Sequence, residues 1–221
     1  LFHNLFAGGD HGYGLVDKGK FPNGDGTFRD YDFKHYAPTL ETYLAHLEGK
    51  ISMGIVPITH AGLTKLGVLD IDDHKKDKTK PVIPWSKEKY QKLLNKIKYL
   101  KLPLTVAKSK SGGAHCYLFL DKFYKAGDIK KILNKFEYAL GYERDYLEKF
   151  PKQETLINKD GSKADGNYIN LPYKGGNSRV LLDFAGNELN TSDGLLYASK
   201  RVRSLPDLYK FNLLESKSKT S

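Results

Sequence analysis

The sequence is poor in cysteine, in arginine and in long apolar runs, and each of these shortages excludes a class of protein. The single cysteine, Cys116, excludes an internal disulfide and a cysteine-rich zinc site. Because Cys116 lies in the apolar string CYLFL, it is expected in the core rather than as a nucleophile. No apolar run has membrane-spanning length, and no signal segment opens the chain. We therefore expect a reduced, cytoplasmic protein with no zinc and no membrane partner.

Positive charge is abundant but is carried mainly by lysine. The net charge is +10, and only five of the 36 basic residues are arginines, which disfavours bidentate reading of guanine in a duplex. Between Lys75 and Lys110 there are twelve lysines and only two acids. This segment favours a polyanionic partner, nucleic acid first, with a solvated lysine-rich surface as the alternative.

Hydrophobic periodicity predicts helices and strands in a definite order. Apolar stripes predict helices that begin at the caps Thr39, Ser86 and Asp128, and a last helix within residues 192–202. The strand signals are apolar strings flanked by turn residues; they lie in a hairpin over 51–71, in 102–120, and near 145–150, 167–172 and 178–184. The core order is strand, helix, strand, strand, helix, strand. It predicts an α+β fold with a mixed or antiparallel, ferredoxin-like (RRM-like) sheet flanked by helices, behind an N-terminal α/β extension.

The string LGVLDIDDH, residues 66–74, ends an apolar strand in three carboxylates and a histidine. Because side chains alternate along a strand, Asp70 and Asp72 are expected on one face, about 7 Å apart. Two carboxylates placed in this way can bind one or two divalent cations. The alternative is a charged loop that starts where the strand stops. Asp73 and His74 fit a turn or a solvated loop better than a metal site.

The glycine-rich string SKSGGAH, residues 109–115, lies between two apolar strands. Glycines let the backbone approach a ligand closely, and successive N–H groups can form an anion site. An ordinary hairpin with a surface histidine is the alternative for this loop alone. The candidate phosphate donors are Lys108, Ser109, Lys110, Ser111, Gly112, Gly113 and His115. Beside two carboxylates, such a loop predicts a site for a nucleoside triphosphate with Mg²⁺ or Mn²⁺.

The acidic pair DID followed by SKSGGAH resembles the first two motifs of the archaeo-eukaryotic primase superfamily. Between Leu5 and Tyr173 the strings LFAGGDHGYG, HLEGKISMGIVPI, GVLDIDDH, SKSGGAHCYLFL, FPKQ and GNYINLPY resemble primase domains of phages and mobile elements, including those of TOTE conflict systems. The third family motif is a hydrophobic residue followed by an acid. Leu147-Glu148 matches it, although Lys149 replaces the hydrophobic residue that usually precedes FPKQ. Leu182-Asp183 is the competing match.

The resemblance implies a nucleotidyltransferase, a template-dependent DNA primase and polymerase. Asp70, Asp72 and Glu148 would then hold two divalent metals, Mg²⁺ or Mn²⁺, and His115 would complete the catalytic set. Further contacts to the triphosphate or the template would come from Lys152, Asn167, Asn170, Lys174 and Arg179. The expected partners are a single-stranded DNA template, NTP or dNTP substrates and a replicative helicase. The expected setting is the cytoplasm of a bacterial or archaeal host, with a phage or plasmid as the source.

We expect one primase-polymerase domain over residues 1–215. It divides into an N-terminal subregion (1–65), a catalytic core (66–190) and a C-terminal helical segment (191–215), followed by a tail (216–221). Two other functions stay open. A replication-initiator nicking nuclease normally needs paired histidines, and the sequence has no His-x-His pair. A non-catalytic single-strand binder explains the charge and the aromatics but leaves the paired carboxylates without a purpose.

Overall fold

The computed structural model describes residues 1–23, 27–72, 84–144 and 146–211. Six helices and nine strands lie in these ranges. The helices are α1 (Phe2–Leu5), α2 (Leu40–Leu47), α3 (Lys87–Tyr99), α4 (Ala126–Ala139), α5 (Thr191–Ser199) and α6 (Leu205–Tyr209). The strands are β1 (Tyr13–Pro22), β2 (Phe28–Lys34), β3 (Met53–Ile55), β4 (Leu63–Ile71), β5 (Leu104–Lys108), β6 (Ala114–Lys125), β7 (Glu148–Phe150), β8 (Ile169–Asn170) and β9 (Leu181–Leu182). None of the helices in the described ranges is long and apolar enough to cross a bilayer.

The strands form two antiparallel sheets. The first has four strands in the order β2-β1-β3-β8, and the second has five in the order β7-β4-β6-β5-β9. The strands of the second sheet and the helices between them follow the predicted order strand, helix, strand, strand, helix, strand. Along the chain these elements are β4, α3, β5, β6, α4 and β7. The predicted α+β class with antiparallel pairing is confirmed.

The predicted hairpin over residues 51–71 was wrong, because its two strands belong to different sheets. β3 pairs with β1 on one side, where Met53 lies opposite Leu15, and with β8 on the other. β4 pairs instead with β6 and β7. Both hydrogen-bonding edges of β3 are occupied, so β4 has no edge of β3 to pair with. The segment that follows β3 therefore carries the chain from the first sheet to the second.

Each face of the second sheet packs against a different layer. Leu69 and Cys116 point to the side that α3 and α4 cover. Val68 and Tyr117, one residue away, point to the core shared with the first sheet. Because side chains alternate, Asp70 continues the face of Val68, toward the first sheet. Cys116 is fully buried, as predicted, and burial raises the pKa of its thiol, which makes it a poor nucleophile.

Two of the three predicted helix caps are confirmed. Thr39 and Ser86 are the N-cap residues of α2 and α3, and the hydroxyl of each accepts a backbone N–H of the first turn. Asp128 is not a cap, because α4 begins two residues earlier, at Ala126, and Asp128 lies in its first turn. The N–H of Ala126 donates to the Gly62 carbonyl at 2.9 Å, so β6 continues into α4 without a side-chain cap.

A buried histidine joins the first sheet to helix α2. His46 has no solvent exposure, and its Nδ1 accepts the N–H of Met53 at 3.1 Å. Its Nε2–H therefore donates to the carbonyl of Pro172, at 2.8 Å. Burial lowers the pKa of His46 from 6.5 to about 4, and the positive charges of Arg179 and Lys174 act in the same direction. The ring is neutral at pH 7.

We expect acid to destabilise the protein through His46. An unfolded histidine gains its proton near pH 6.5, whereas the folded ring resists protonation down to about pH 4. Stability attributable to His46 is therefore complete above pH 6.5 and falls between pH 6.5 and 4, by about 3 kcal/mol in all. Urea unfolding of the wild type and of His46→Gln across this range measures the effect. The variant is expected to be less stable at pH 7 but to show a shallower pH dependence, and equal pH slopes would contradict the assignment.

Candidate active site

Three of the predicted catalytic side chains lie in a row across three neighbouring strands. Asp70 on β4 is directly opposite His115 on β6 and directly opposite Glu148 on β7. His115 Nε2 lies 3.5 Å from Asp70 Oδ1. Asp70 and His115 are 7% and 5% exposed. Residues opposite one another in an antiparallel pair share a face, so strand register gathers these groups on the face toward the first sheet.

Asp72 lies one residue beyond the end of β4 and is tied to the glycine-rich loop. Its Oδ1 accepts a hydrogen bond from Ser111 Oγ at 2.6 Å. Ser111 Oγ lies 2.9 Å from Ser109 Oγ, which accepts the N–H of Gly113 at 2.9 Å. The N–H of Gly112 donates to the Ser109 carbonyl at 3.3 Å. The two glycine amides predicted to bind phosphate are thus already hydrogen-bonded inside the loop.

Gly113 is required by the close approach of the loop to β4. A Cβ at this position would lie 2.2 Å from the Ile71 carbonyl oxygen and 2.7 Å from Asp72 Oδ1. Both contacts are too short for a real side chain, so any other residue would displace Asp72 or the loop. The glycine therefore sets the distance between the loop and the acidic end of β4.

Lys149, where the chain departs from the family pattern, has a partner on the opposite face of β7. Its Nζ forms an ion pair with Glu137 Oε2 of α4 at 2.7 Å, and these side chains are only 9% and 1% exposed. Glu137 Oε1 also accepts the N–H of Leu147 at 2.6 Å. Glu148 points the other way, and its Oε2 lies 3.0 Å from Lys152 Nζ. The polar pair holds β7 against α4 with Glu148 turned toward the site.

Asp183, the competing third acid, lies at the far edge of the sheet. It follows β9, and β4, β6 and β5 separate β9 from β7. Its carboxylate accepts the N–H groups of Ala185 and Asn187 at 2.8 and 2.9 Å. Burial raises the pKa of Asp183, but the hydrogen bonds from Asn187 outweigh it and leave the pKa below its ordinary value. Asp183 closes a turn and does not approach Asp70.

A buried arginine lies near Tyr117, and two lysines lie near that arginine. Arg179 is 9% exposed, donates from Nη2 to Ser52 Oγ at 3.2 Å, and has an Nε with no hydrogen-bond partner among the described residues. Burial lowers the pKa of Arg179 and also that of Lys110. Arg179 and Lys174 add positive charge beside Lys110, partly offset by the carboxylates of Asp17 and Asp30. Together Arg179, Lys110 and Lys174 form a cluster, called here the basic cluster.

A tyrosine connects His115 to Asn170. Tyr117 donates its hydroxyl proton to the Asn170 carbonyl at 3.2 Å. His115 Nδ1 lies 3.2 Å from the same hydroxyl and must donate to it, since the single hydroxyl proton is already used. The ring of His115 is thereby oriented with Nε2 toward Asp70.

Not every predicted residue is brought to the site. Lys108 follows Ala107, which lies opposite His115, so Lys108 points to the other face and contacts Glu188. Asp73, His74 and the first lysines of the lysine-rich segment lie outside the described residues. In the described ranges, no three His, Cys, Asp or Glu side chains are arranged closely enough to hold a metal ion. Asp70 and Glu148 share a face of the sheet, while Asp72 lies beyond the end of β4.

Sequence reasoning missed Tyr117 and Glu137. Tyr117 has a local signal, since it lies two residues from His115 on the same strand and therefore on the same face. Glu137 has a weaker one: Lys149 occupies a position where the family has a hydrophobic residue, and a buried lysine requires a carboxylate nearby. Which carboxylate it is depends on the packing of α4 against β7.

Asp70, His115 and Glu148 share one face of an antiparallel sheet, and a glycine-rich loop adjoins the end of the Asp70 strand, an arrangement suited to handling a charged phosphate substrate. The model of the family described as "TOTE conflict system, Archaeo-Eukaryotic Primase domain" matches residues 9–181. The match covers well over half of the chain, so the chain belongs to this family of primase-like domains and, with it, to the primase and polymerase superfamily. The resemblance seen in the motifs is confirmed. No curated protein matches the chain.

Proposed function

We propose that the chain is a template-dependent primase and polymerase that joins nucleoside triphosphates on single-stranded DNA. The observation that carries the proposal is the in-register row of Asp70 between His115 and Glu148. The order β7-β4-β6-β5 supports an RRM-like catalytic sheet, because a β-α-β-β-α-β segment of that kind places its first and third strands at the centre. A non-catalytic binder would not need carboxylates on a surface that faces phosphates.

The carboxylates have the chemistry that a hard divalent cation prefers. Asp70, Asp72 and Glu148 offer oxygen ligands, which suit Mg²⁺ or Mn²⁺ rather than zinc. Glu148 now pairs with the Lys152 ammonium and would exchange that partner for the cation. When bound, a pair of cations would lower the pKa of an attacking 3′-hydroxyl and neutralise charge on the triphosphate.

The basic cluster and His115 are proposed to bind the triphosphate. Taking an arginine out of water without a carboxylate partner is costly, and Arg179 forms no ion pair with any described residue. A phosphate would satisfy its unpartnered Nε and its charge together. His115, whose Nδ1–H donates to Tyr117, presents Nε2 on the face shared with Asp70 and would donate to a phosphate oxygen as the imidazolium. The protein thereby orients the substrate and stabilises charge on the phosphates as it develops.

We expect Arg179→Met to raise the KM for the incoming nucleotide about 10- to 100-fold, because the variant loses one charge-assisted hydrogen bond to the triphosphate. Affinity for the DNA template should stay within about twofold, because the proposal assigns Arg179 to the triphosphate and not to the template. Steady-state extension of a primed template measures KM, and fluorescence anisotropy measures DNA binding. Arg201→Met is the matched control, since Arg201 stacks on Tyr197 and Phe184 and lies beyond the family match. An unchanged KM in folded Arg179→Met would remove Arg179 from the site.

The direct test of the proposed function uses a single-stranded template, labelled nucleotides and Mg²⁺ or Mn²⁺, with and without an annealed primer. Metal-dependent products without a primer, lost in Asp70→Asn, would support a primase. Products only with a primer would support a polymerase that does not initiate. Tight template binding without products would favour the single-strand binder.

The proposed setting is replication of a phage or mobile element in a bacterial or archaeal cytoplasm, with a replicative helicase in cis or in trans. The description of the matched family adds a second setting, a conflict system. Neither changes the residues assigned above.

A further inference from the structure

The glycine-rich loop contains two serine hydroxyls that end at a carboxylate. Ser109 is 7% exposed and Ser111 is partly buried. The hydroxyl oxygens are 2.9 Å apart, and Ser111 Oγ is 2.6 Å from Asp72 Oδ1. At the other end, the N–H of Gly113 reaches Ser109 Oγ at 2.9 Å. The three hydrogen bonds form a continuous chain from the loop backbone to Asp72.

The direction of this chain follows from its two ends. The Gly113 amide can only donate, and an ionised carboxylate can only accept. Ser111 therefore donates to Asp72, and Ser109 donates to Ser111 while accepting from Gly113. Both hydroxyl protons point toward Asp72 and are consumed within the chain. The 2.6 Å separation is typical of a charge-assisted O–H···O⁻ bond.

We propose that Ser109 and Ser111 are positioning residues for the Asp72 carboxylate, rather than the phosphate donors that the sequence suggested. Asp72 lies beyond the last paired residue of β4, so the strand ladder does not orient it. The hydroxyl chain contributes to that orientation through Oδ1. This inference rests on the proposed function, because it takes Asp72 to be a cation ligand.

The hydrogen-bond chain from Gly113 to Asp72 also couples the proposed triphosphate site to the proposed cation site. The loop that approaches the triphosphate and the carboxylate that approaches the cation are joined by one hydrogen-bond path. Gly113 adds a steric link, because its backbone packs so closely against the Ile71 carbonyl and the Asp72 carboxylate that no Cβ would fit. Displacement of the loop therefore displaces Asp72. Removing a hydroxyl should weaken cation binding even when no nucleotide is present.

The test is titration of Mn²⁺ into the nucleotide-free protein by isothermal calorimetry. Ser111→Ala is expected to weaken Mn²⁺ binding about 10- to 100-fold, as loss of a group that orients a ligand typically does. Ser111→Thr, which keeps the hydroxyl, should restore affinity to within about threefold. Ser199→Ala is the matched control, because the Ser199 hydroxyl donates to a carbonyl in α5 and lies outside the site.

Two further arms separate the possible failures. Asp72→Asn should lose Mn²⁺ binding. If the wild type binds no Mn²⁺, or if Asp72→Asn binds Mn²⁺ normally, Asp72 is not a cation ligand. In either case this inference fails too. If Asp72→Asn loses Mn²⁺ while Ser111→Ala retains wild-type affinity, only the positioning role is overturned. Nucleotide affinity in EDTA supplies the last arm. If Ser111→Ala binds nucleotide more weakly in EDTA but binds Mn²⁺ normally, Ser111 is a phosphate donor, as the sequence suggested.

Discussion

Replacement of Asp70 by asparagine is expected to lower nucleotide incorporation by about 1,000-fold or more, because it removes charge from the centre of the proposed cation and phosphate site. Asparagine keeps the size of the side chain at a position that is only 7% exposed, so the fold should survive. Affinity for single-stranded DNA should change by less than about threefold, since phosphate contacts come from basic side chains. Primer extension under single-turnover conditions and anisotropy with a labelled oligonucleotide measure the two quantities.

Asp183→Asn is the matched control for this prediction. The substitution is the same, but Asp183 closes a turn after β9 at the opposite edge of the sheet from Glu148. It should leave the extension rate within about fivefold of wild type, whereas Glu148→Gln should reduce it strongly. Normal primer extension by a folded Asp70→Asn protein would contradict the assignment of Asp70 as a catalytic residue. A severe loss in Asp183→Asn with a mild one in Glu148→Gln would restore Asp183 as the third acid.

Loss of the buried partner of Lys149 is the largest expected effect on stability. Glu137→Gln should lower the free energy of unfolding by about 3–5 kcal/mol, because it leaves an ammonium ion buried without its carboxylate. The side chains of Glu137 and Lys149 are only 1% and 9% exposed, so the pair is largely buried. Urea unfolding at pH 7, followed by circular dichroism, measures the change.

An exposed ion pair provides the comparison. Glu48 and Lys50 form a pair with side chains that are 54% and 70% exposed, and Glu48→Gln should cost less than about 1 kcal/mol. The double variant Glu137→Leu/Lys149→Met should recover much of the stability lost in Glu137→Gln, since it removes both buried charges. A cost for Glu137→Gln no larger than that for Glu48→Gln would show that Lys149 finds solvent or another partner.

Local features of this protein were predictable because they depend on neighbouring residues. The caps Thr39 and Ser86 depend on a hydroxyl one residue before an apolar stripe. The face of Asp70 depends on strand alternation, a property of neighbouring residues on one strand, whereas Asp72 lies beyond the end of β4. The family of the chain also followed from strings read in order along the sequence. Asp128 failed as a cap because β6 runs directly into α4, and that junction is made by a backbone contact with Gly62.

The assembly of the site was decided by tertiary structure. Asp70, His115 and Glu148 meet only because β6 and β7 pair with β4 in a particular register, and register joins residues far apart in the chain. The same long-range pairing separated β3 from β4 and placed Asp183 at the far edge.

The partners of individual side chains were also decided by tertiary structure. Ser111 donates to Asp72, and Glu137 receives Lys149, across distances in sequence that no local pattern spans. Periodicity tells which face a residue is on, because it is set by backbone geometry within a few residues. It does not tell what lies opposite that face, because that is set by which elements bury their apolar surfaces against one another.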